Sequence, residues 1–227
     1  MSNINLWNED CLSAMRRMED SQFQLAIVDP PYGESCNISS GGGSHTKSLV
    51  KFHQAYKEMG KSWNQVPGDE YFKELFRVSV NQIIWGGNYF NLPPCRCFVA
   101  WDKIRTVTNF SQVEFAWTSF QSPALIFRYC NNAGFILSKE ERLRISPSQK
   151  PVQLYKWLLK NYAKSGDRIL DTHCGSGSIL LACDIMGYDI DAYEIDLEYY
   201  TAAKARLARH QQQATLFTAD GLHLNGG

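Results

Sequence analysis

Apolar residues along the chain gather into short runs separated by polar segments bearing glycine or proline, and the runs predict strands and helices in alternation. Ile4 to Trp7 reads as a short strand, and Cys11 to Met18, apolar at Leu12, Met15 and Met18, as a short helix. Leu25 to Val28 is apolar at every position, the pattern of a strand buried on both faces. Helical periodicity over Tyr71 to Val80 precedes a strand at Gln82 to Trp85, which Gly86-Gly87-Asn88 ends. Cys97 to Trp101 and Ala124 to Phe127 predict two more strands, and Pro151 to Tyr162 an amphipathic helix with proline in its first turn. A strand ending at Asp171, a helix from about Ser178 to Gly187 and a strand at Asp189 to Tyr193 complete the series. Strands and helices alternating in this way indicate an α/β fold.

Two strand ends carry the candidate chemistry. After Val28 comes Asp29-Pro30-Pro31-Tyr32. Each proline has a fixed φ and no N–H, so a strand cannot continue and the loop is stiff. Such a loop can hold the Asp29 carboxylate and the Pro30 carbonyl as acceptors beside the flat face of Tyr32, an array suited to a planar ring bearing an amino group. Taken alone, these four residues fit that array and a plain turn alike.

The second strand end is Asp171-Thr172-His173-Cys174-Gly175-Ser176-Gly177-Ser178. Glycines at a strand-to-helix turn let main chain approach a ligand closely. Glu194, at the tip of the next strand, is placed to accept from both hydroxyls of a ribose. Leu180 stands where a dinucleotide fingerprint would need a third small residue, so the pattern indicates a nucleoside without a pyrophosphate.

Composition narrows the setting. With 227 residues the chain can bury roughly 70% of its unfolded surface, as one domain or a domain with an insertion. Lys plus Arg and Asp plus Glu both number 23, so any surface for nucleic acid must be local. No apolar run approaches a membrane span and the first residues lack a signal-peptide core, which predicts a cytoplasmic protein away from membranes. Seven scattered cysteines argue for reduced thiols, and the Cys95, Cys97 pair lacks a zinc-finger partner, so no metal is expected. Residues 33–66 change character: a Gly, Ser and Asn stretch leads into Lys47, Lys51, Lys57 and Lys61 interleaved with Phe52, Tyr56 and Trp63. This segment fits a mobile substrate lid and a solvated excursion equally. Residues 128–146, with Lys139, Arg142 and Arg144, form a second polar, cationic stretch.

Together the two loops resemble those of the amino-group DNA methyltransferases that use S-adenosyl-L-methionine, in the β order where the Asp-Pro-Pro-Tyr loop precedes the cofactor loop. The resemblance spans most of the chain. It implies a single Rossmann-like methyltransferase domain over residues 1–227, with a mostly parallel seven-stranded sheet and helices on both faces. The loops, about 140 residues apart, then serve one pocket. Asn8-Glu9-Asp10-Cys11 is similar to the family's element that reaches the cofactor adenine, and Ser146-Pro147-Ser148-Gln149-Lys150-Pro151 to the segment over its methionine end. The cofactor set so implied is Asp10, Cys11, Asp29, Ser148, Gln149, Lys150, Asp171, His173, Cys174, Gly175, Ser176, Gly177, Ser178, Glu194, Ile195 and Asp196. The family usually carries His or Asn at the position of Ser146, an aromatic at that of His173 and Thr at that of Ser178.

The same resemblance casts Asp29, Pro30, Pro31 and Tyr32 as the catalytic loop acting on an exocyclic amine, with Tyr32 stacking on a base taken out of the duplex. Asp at the first position resembles adenine-N6 enzymes, whereas cytosine-N4 enzymes tend to carry Ser. The implied partner is double-stranded DNA, read by Lys47, Lys51, Lys57, Lys61, Lys139, Arg142 and Arg144, with the chain a monomer or homodimer. Both reading segments are short, so a recognition site of few base pairs, or weak specificity, is expected. Three alternatives stay open: cytosine-N4 chemistry, an RNA- or protein-directed enzyme of the same fold, and a cofactor-binding subunit without catalysis.

Overall fold

The computed structural model describes residues 2–33, 65–104, 111–130, 145 and 149–221, the last eight by backbone alone. In chain order the elements are β1 (Ile4–Trp7), α1 (Cys11–Met15), β2 (Phe23–Val28), α2 (Asp69–Val78), β3 (Ser79–Trp85), β4 (Phe98–Asp102), β5 (Val113–Thr118), β6 (Leu125–Arg128), α3 (Val152–Tyr162), β7 (Arg168–Asp171), α4 (Ser178–Met186), β8 (Asp189–Tyr193) and α5 (Leu197–Gly221). The fold is α/β, as the alternation predicted. The chain divides into two compact units, residues 1–11 with 131–227, and residues 12–130.

The first unit is built on a parallel sheet in the order β1-β8-β7, with Ile4 opposite Ile190 and Arg168 opposite Asp189. Flanked on both sides, β8 buries four of its five residues, Ile190 to Tyr193. Side chains reinforce its pairing with β1: Asn3 donates from its backbone and side chain to Asp189, and Asn5 Nδ2 donates to Asp191 at 2.8 Å. From the other side Arg168 Nη2 reaches Asp191 at 2.6 Å, giving that buried carboxylate two donors. Helix α4 is apolar around its circumference and buries Ser178 through Cys183, as a helix packed on several sides must. It stops at Gly187, whose φ of +77° places the left-handed C-terminal cap.

The second unit holds a mixed sheet in the order β2-β3-β5-β4-β6. β2 and β3 run parallel, β5 runs antiparallel to both β3 and β4, and β6 returns parallel to β4. Besides α1, which stops at Met15 instead of Met18, two features differ from the pattern reading. β5 raises the strands among the described residues to eight, against the seven expected. Helix α2 spans Asp69–Val78 and β3 starts at Ser79, so the helix lies two positions earlier than apolar periodicity indicated and the strand is longer. The cause is local: the buried Ser79 hydroxyl donates to the Leu75 carbonyl at 2.6 Å, closing the last turn while its own backbone is already extended. Tyr71, Phe72, Leu75 and Val78 form the buried stripe of α2 at helical spacing. Its last turn is tied to the end of α1 by Arg77, which donates to the carbonyls of Met15 and Met18 and pairs with Asp20 and Glu74.

Candidate active site

The first candidate loop lies in the second unit, where β2 ends. Leu25, Ala26, Ile27 and Val28 are all buried, anchoring the strand up to Asp29, which is half-buried. Pro30 is buried, and no peptide bond in the chain's described part is cis. The loop turns Tyr32 back so that its hydroxyl donates to Asp29 Oδ1 at 2.5 Å, a short hydrogen bond of the kind a phenol makes to a carboxylate. The ring of Tyr32 stacks on Tyr89, centroids 5.0 Å apart and planes at 23°, and meets Phe90 edge-on at 6.0 Å. Phe90 in turn packs on Phe72 of α2.

Gly86, directly after β3, supports the same ring. It adopts φ +67°, and a Cβ added there would lie 2.1 Å from Tyr32 Cε1, 2.5 Å from Cζ and 2.6 Å from Cδ1. The distances to Cζ and Cδ1 are too short for a point 2.1 Å beyond the ring's edge, which would lie about 3.0 Å from both, and they put that Cβ over the ring face at Cε1. Only glycine lets the end of β3 pass so close beneath Tyr32. The glycine break after Trp85 therefore lies against the Asp29 to Tyr32 loop.

The second loop lies in the first unit, between β7 and α4. Asp171 Oδ1 accepts the backbone N–H of His173 at 3.0 Å, and Cys174 N–H donates to Tyr193 O at 2.9 Å, fixing the loop to the end of β8. Glu194 closes the arrangement: Oε2 accepts the Gly175 N–H at 2.7 Å and Oε1 the Asp196 N–H at 2.9 Å. Burial raises the Glu194 carboxyl above the ordinary range, against the lowering pull of backbone amides. A carboxylate offers about four acceptor positions, so capacity remains for a further donor. Gly175 and Gly177 have φ of +51° and +74°, and a Cβ at Gly175 would meet nothing nearer than the His173 carbonyl at 4.0 Å. That side of the loop exposes bare main chain.

Around this core the remaining expected residues fall into place unevenly. Asn8 Nδ2 donates to the carbonyls of Glu194 and Ile195, tying the segment before Asp10 and Cys11 to the end of β8. Burial holds the His173 imidazole near pKa 4, opposed by the charge of Asp10, so the ring is neutral at physiological pH. Burial likewise pushes the Cys174 and Cys183 thiols well up, which removes both as nucleophiles. Ile195 is exposed, an apolar side chain at the rim. Asp196 does structural work, since its Oδ1 accepts from the backbone of Glu198 and Tyr199 and caps α5. Gln149 and Lys150 are buried just before α3, Gln149 accepting from Ile145 N–H. Ser148 lies outside the described residues, as do Lys47, Lys51, Lys57, Lys61, Lys139, Arg142 and Arg144.

Residues 131–205 match the family model described as DNA methylase, a stretch that holds the glycine loop and Glu194. Across 240 aligned residues the chain is 21% identical to the Type II methyltransferase M.HpaI of Haemophilus parainfluenzae, covering 87% of this chain and 72% of that relative. A putative DNA modification methylase of Thermus thermophilus, TTHA0409, solved in complex with S-adenosyl-L-methionine, aligns with TM-score 0.54 at 16% identity, over 91% of this chain and 95% of that one. PvuII DNA methyltransferase, cytosine-N4-specific, aligns with TM-score 0.59 at 11% identity, over 90% and 87%. The fold is the DNA methyltransferase fold.

Within the methyltransferase fold of this chain, one contributor escaped the sequence reading altogether. Arg206 of α5 is 3% exposed, and its Nη1 donates to Ser176 O and Ser178 Oγ, both at 2.9 Å. One turn earlier Ala203 lies against Gly177, where an added Cβ would come within 3.0 Å of the alanine Cβ. The glycine loop is thus seated on α5 by a packing contact and a buried guanidinium. In sequence Arg206 is one cation among several in a polar helix, and only the fold reveals which of them turns inward.

Proposed function

We propose that the chain is a DNA methyltransferase that moves a methyl group from S-adenosyl-L-methionine to the N6 amine of adenine. The observation that carries the reading is the glycine loop bonded to Glu194, inside the segment matching the DNA methylase family. Its groups fit a nucleoside: bare main chain beside Gly175, a carboxylate with capacity to accept from the ribose hydroxyls, and an exposed apolar side chain at Ile195 for a base. Asp10, Cys11, Gln149, Lys150, Asp171, His173, Cys174, Gly175, Ser176, Gly177, Ser178, Glu194 and Ile195 make up the proposed cofactor surface, with Asp29, Ser148 and Asp196 assigned on resemblance. The bound cofactor supplies a methyl group made electrophilic by a sulfonium.

On the substrate side, the adenine amine is a weak nucleophile because its lone pair is drawn into the ring. In the proposed mechanism, hydrogen bonds from that amine to Asp29 and the Pro30 carbonyl localise the lone pair and offset the positive charge that grows on nitrogen. The nitrogen then forms its bond to the methyl carbon, the electron pair of the broken bond stays with sulfur, and one amine proton leaves to solvent. Asp29 acts as acceptor and need not remove a proton beforehand. The base reaches the loop by leaving the duplex stack. Lys47, Lys51, Lys57, Lys61, Lys139, Arg142 and Arg144 are the proposed contacts to the DNA backbone.

The test is transfer of labelled methyl groups from the cofactor to duplex DNA, RNA and protein in parallel, followed by digestion and chromatography of the labelled nucleosides. Label in N6-methyladenine is expected. Label in N4-methylcytosine moves the target to the other amine, and label absent from DNA overturns the proposal.

A further inference from the structure

The hydroxyl of Tyr32 has no part in a role confined to stacking, yet it makes a short hydrogen bond within the loop, to Asp29 Oδ1. Its ring is located independently of that bond: Gly86 lies against one face, Tyr89 stacks at 5.0 Å and Phe90 meets the edge. A donor held by three contacts to its own ring is a fixed point from which to orient a carboxylate. The Asp29 carboxylate needs such a reference, because two rotatable bonds separate it from the end of the strand.

We propose that Tyr32 is a positioning residue for Asp29, its hydroxyl fixing the plane of the carboxylate and so the direction in which the second oxygen meets the substrate amine. This rests on the methyltransferase reading and deepens it. An O–H···O⁻ bond of 2.5 Å lies at the short, strong end of the range. It leaves the second carboxylate oxygen to meet the amine as an acceptor. The aromatic cluster of Tyr32, Tyr89, Phe90 and Phe72 serves to hold the donor still. Misorientation of a catalytic group by about 1 Å can cost on the order of 100-fold in rate, so a single bond of this kind has a measurable share.

The test is Tyr32→Phe, which keeps the ring and all three ring contacts. Two readouts apply. Isotope-edited infrared spectra of protein labelled with 13C-aspartate are expected to show one carboxylate band displaced relative to wild type, with or without substrate. Steady-state kinetics are expected to show kcat reduced about 10-fold or more, while KM for duplex DNA and the thermal midpoint stay close to wild type. An unmoved band overturns the proposal, and so does an unchanged kcat or a defect confined to KM. A wild-type protein that methylates no DNA overturns the methyltransferase reading instead, and the infrared comparison still decides whether the hydroxyl governs the carboxylate.

Discussion

Replacing Gly86 by alanine should disable the acceptor loop while leaving the fold in place. The added Cβ would sit 2.1 Å from Tyr32 Cε1, about 1.3 Å inside the 3.4 Å at which ordinary contact begins. The backbone has little room to yield, because Gly86 N–H donates to Phe115 O at 2.9 Å and Gly86 O accepts from Tyr89 N–H at 2.8 Å. The ring must therefore move. A displacement of about 1.3 Å exceeds what the 2.5 Å bond between Tyr32 and Asp29 can absorb, so the hydroxyl leaves the carboxylate and the stack on Tyr89 opens. Alanine held at φ +67° adds about 1 kcal/mol of backbone strain, and the lost ring contacts about as much again, so urea denaturation should register roughly 2 kcal/mol. Methyl transfer to duplex DNA should fall on the order of 100-fold, equivalent to about 2.7 kcal/mol. Calorimetric affinity for the cofactor should hold, since none of the residues assigned to it beyond Asp29 changes. Turnover within twofold of wild type, in a variant with the expected loss of stability, would refute the link between Gly86, Tyr32 and catalysis.

Three further outcomes follow from the cofactor loop. Glu194, raised by burial, takes up its proton at a higher pH than an ordinary glutamate, so cofactor affinity should decline on acidification from above pH 4.5. Its linkage to folding has the opposite sign: the folded state binds this proton more tightly than the unfolded chain, a stabilisation complete below about pH 4.5 and lost as pH rises through the raised value. Calorimetric titrations across that window should show the decline in wild type and its absence in Glu194→Gln, whose affinity is already weak. His173 behaves inversely, because the unfolded chain protonates near 6.5 and the folded one only near 4. Stability is full above pH 6.5 and falls as pH drops through the interval, by at most about 2 kcal/mol between 6.5 and 5, and denaturation curves for His173→Phe should lose that part of the acid sensitivity. Arg206→Met, which keeps the bulk but removes both bonds to the loop, should cost about 3 kcal/mol and weaken cofactor binding at least 10-fold; wild-type values in both measurements would confine Arg206 to the helix surface.

The strands most plainly visible in sequence were those with an unbroken apolar run. Leu25 to Val28, and Ile169 with Leu170, are buried to within 1% of completely, and that continuity is visible without a structure. β5 was missed because its outer half, Val113 to Phe115, stays partly in solvent and interposes Glu114 among apolar residues, so neither alternation nor a continuous run stands out. The candidate loops were legible for a different reason: prolines restrict the backbone and glycines free it wherever they occur, Asp29 and Tyr32 flank the prolines directly, and Glu194 stands at the end of the strand after the glycine loop. What supports them was not legible. Gly86 is 54 residues from Tyr32 and Arg206 is 28 from Ser178, and the pairings arise from strand order and helix packing, which no local pattern encodes. The hydroxyl bond from Tyr32 to Asp29 was within reach of the sequence at a separation of three, but it depends on the loop doubling back, which the two prolines permit without dictating.

The pairing of β1 with β8 carries a consequence for how the polypeptide is made. Asn3, Asn5 and Asn8 find their side-chain partners 186 residues further on. At a synthesis rate of about 5–20 residues per second, β1 leaves the ribosome roughly 10–40 s before Asp189 to Tyr193 exist to receive it. During that interval residues 12–130 emerge, and a lone, largely apolar strand must avoid wrong partners. The three asparagines bear on this. They satisfy carboxylates and carbonyls peculiar to β8 and its tip, so a nascent β1 docked on any other strand forfeits those bonds, and the correct match is marked by side chains as well as by backbone.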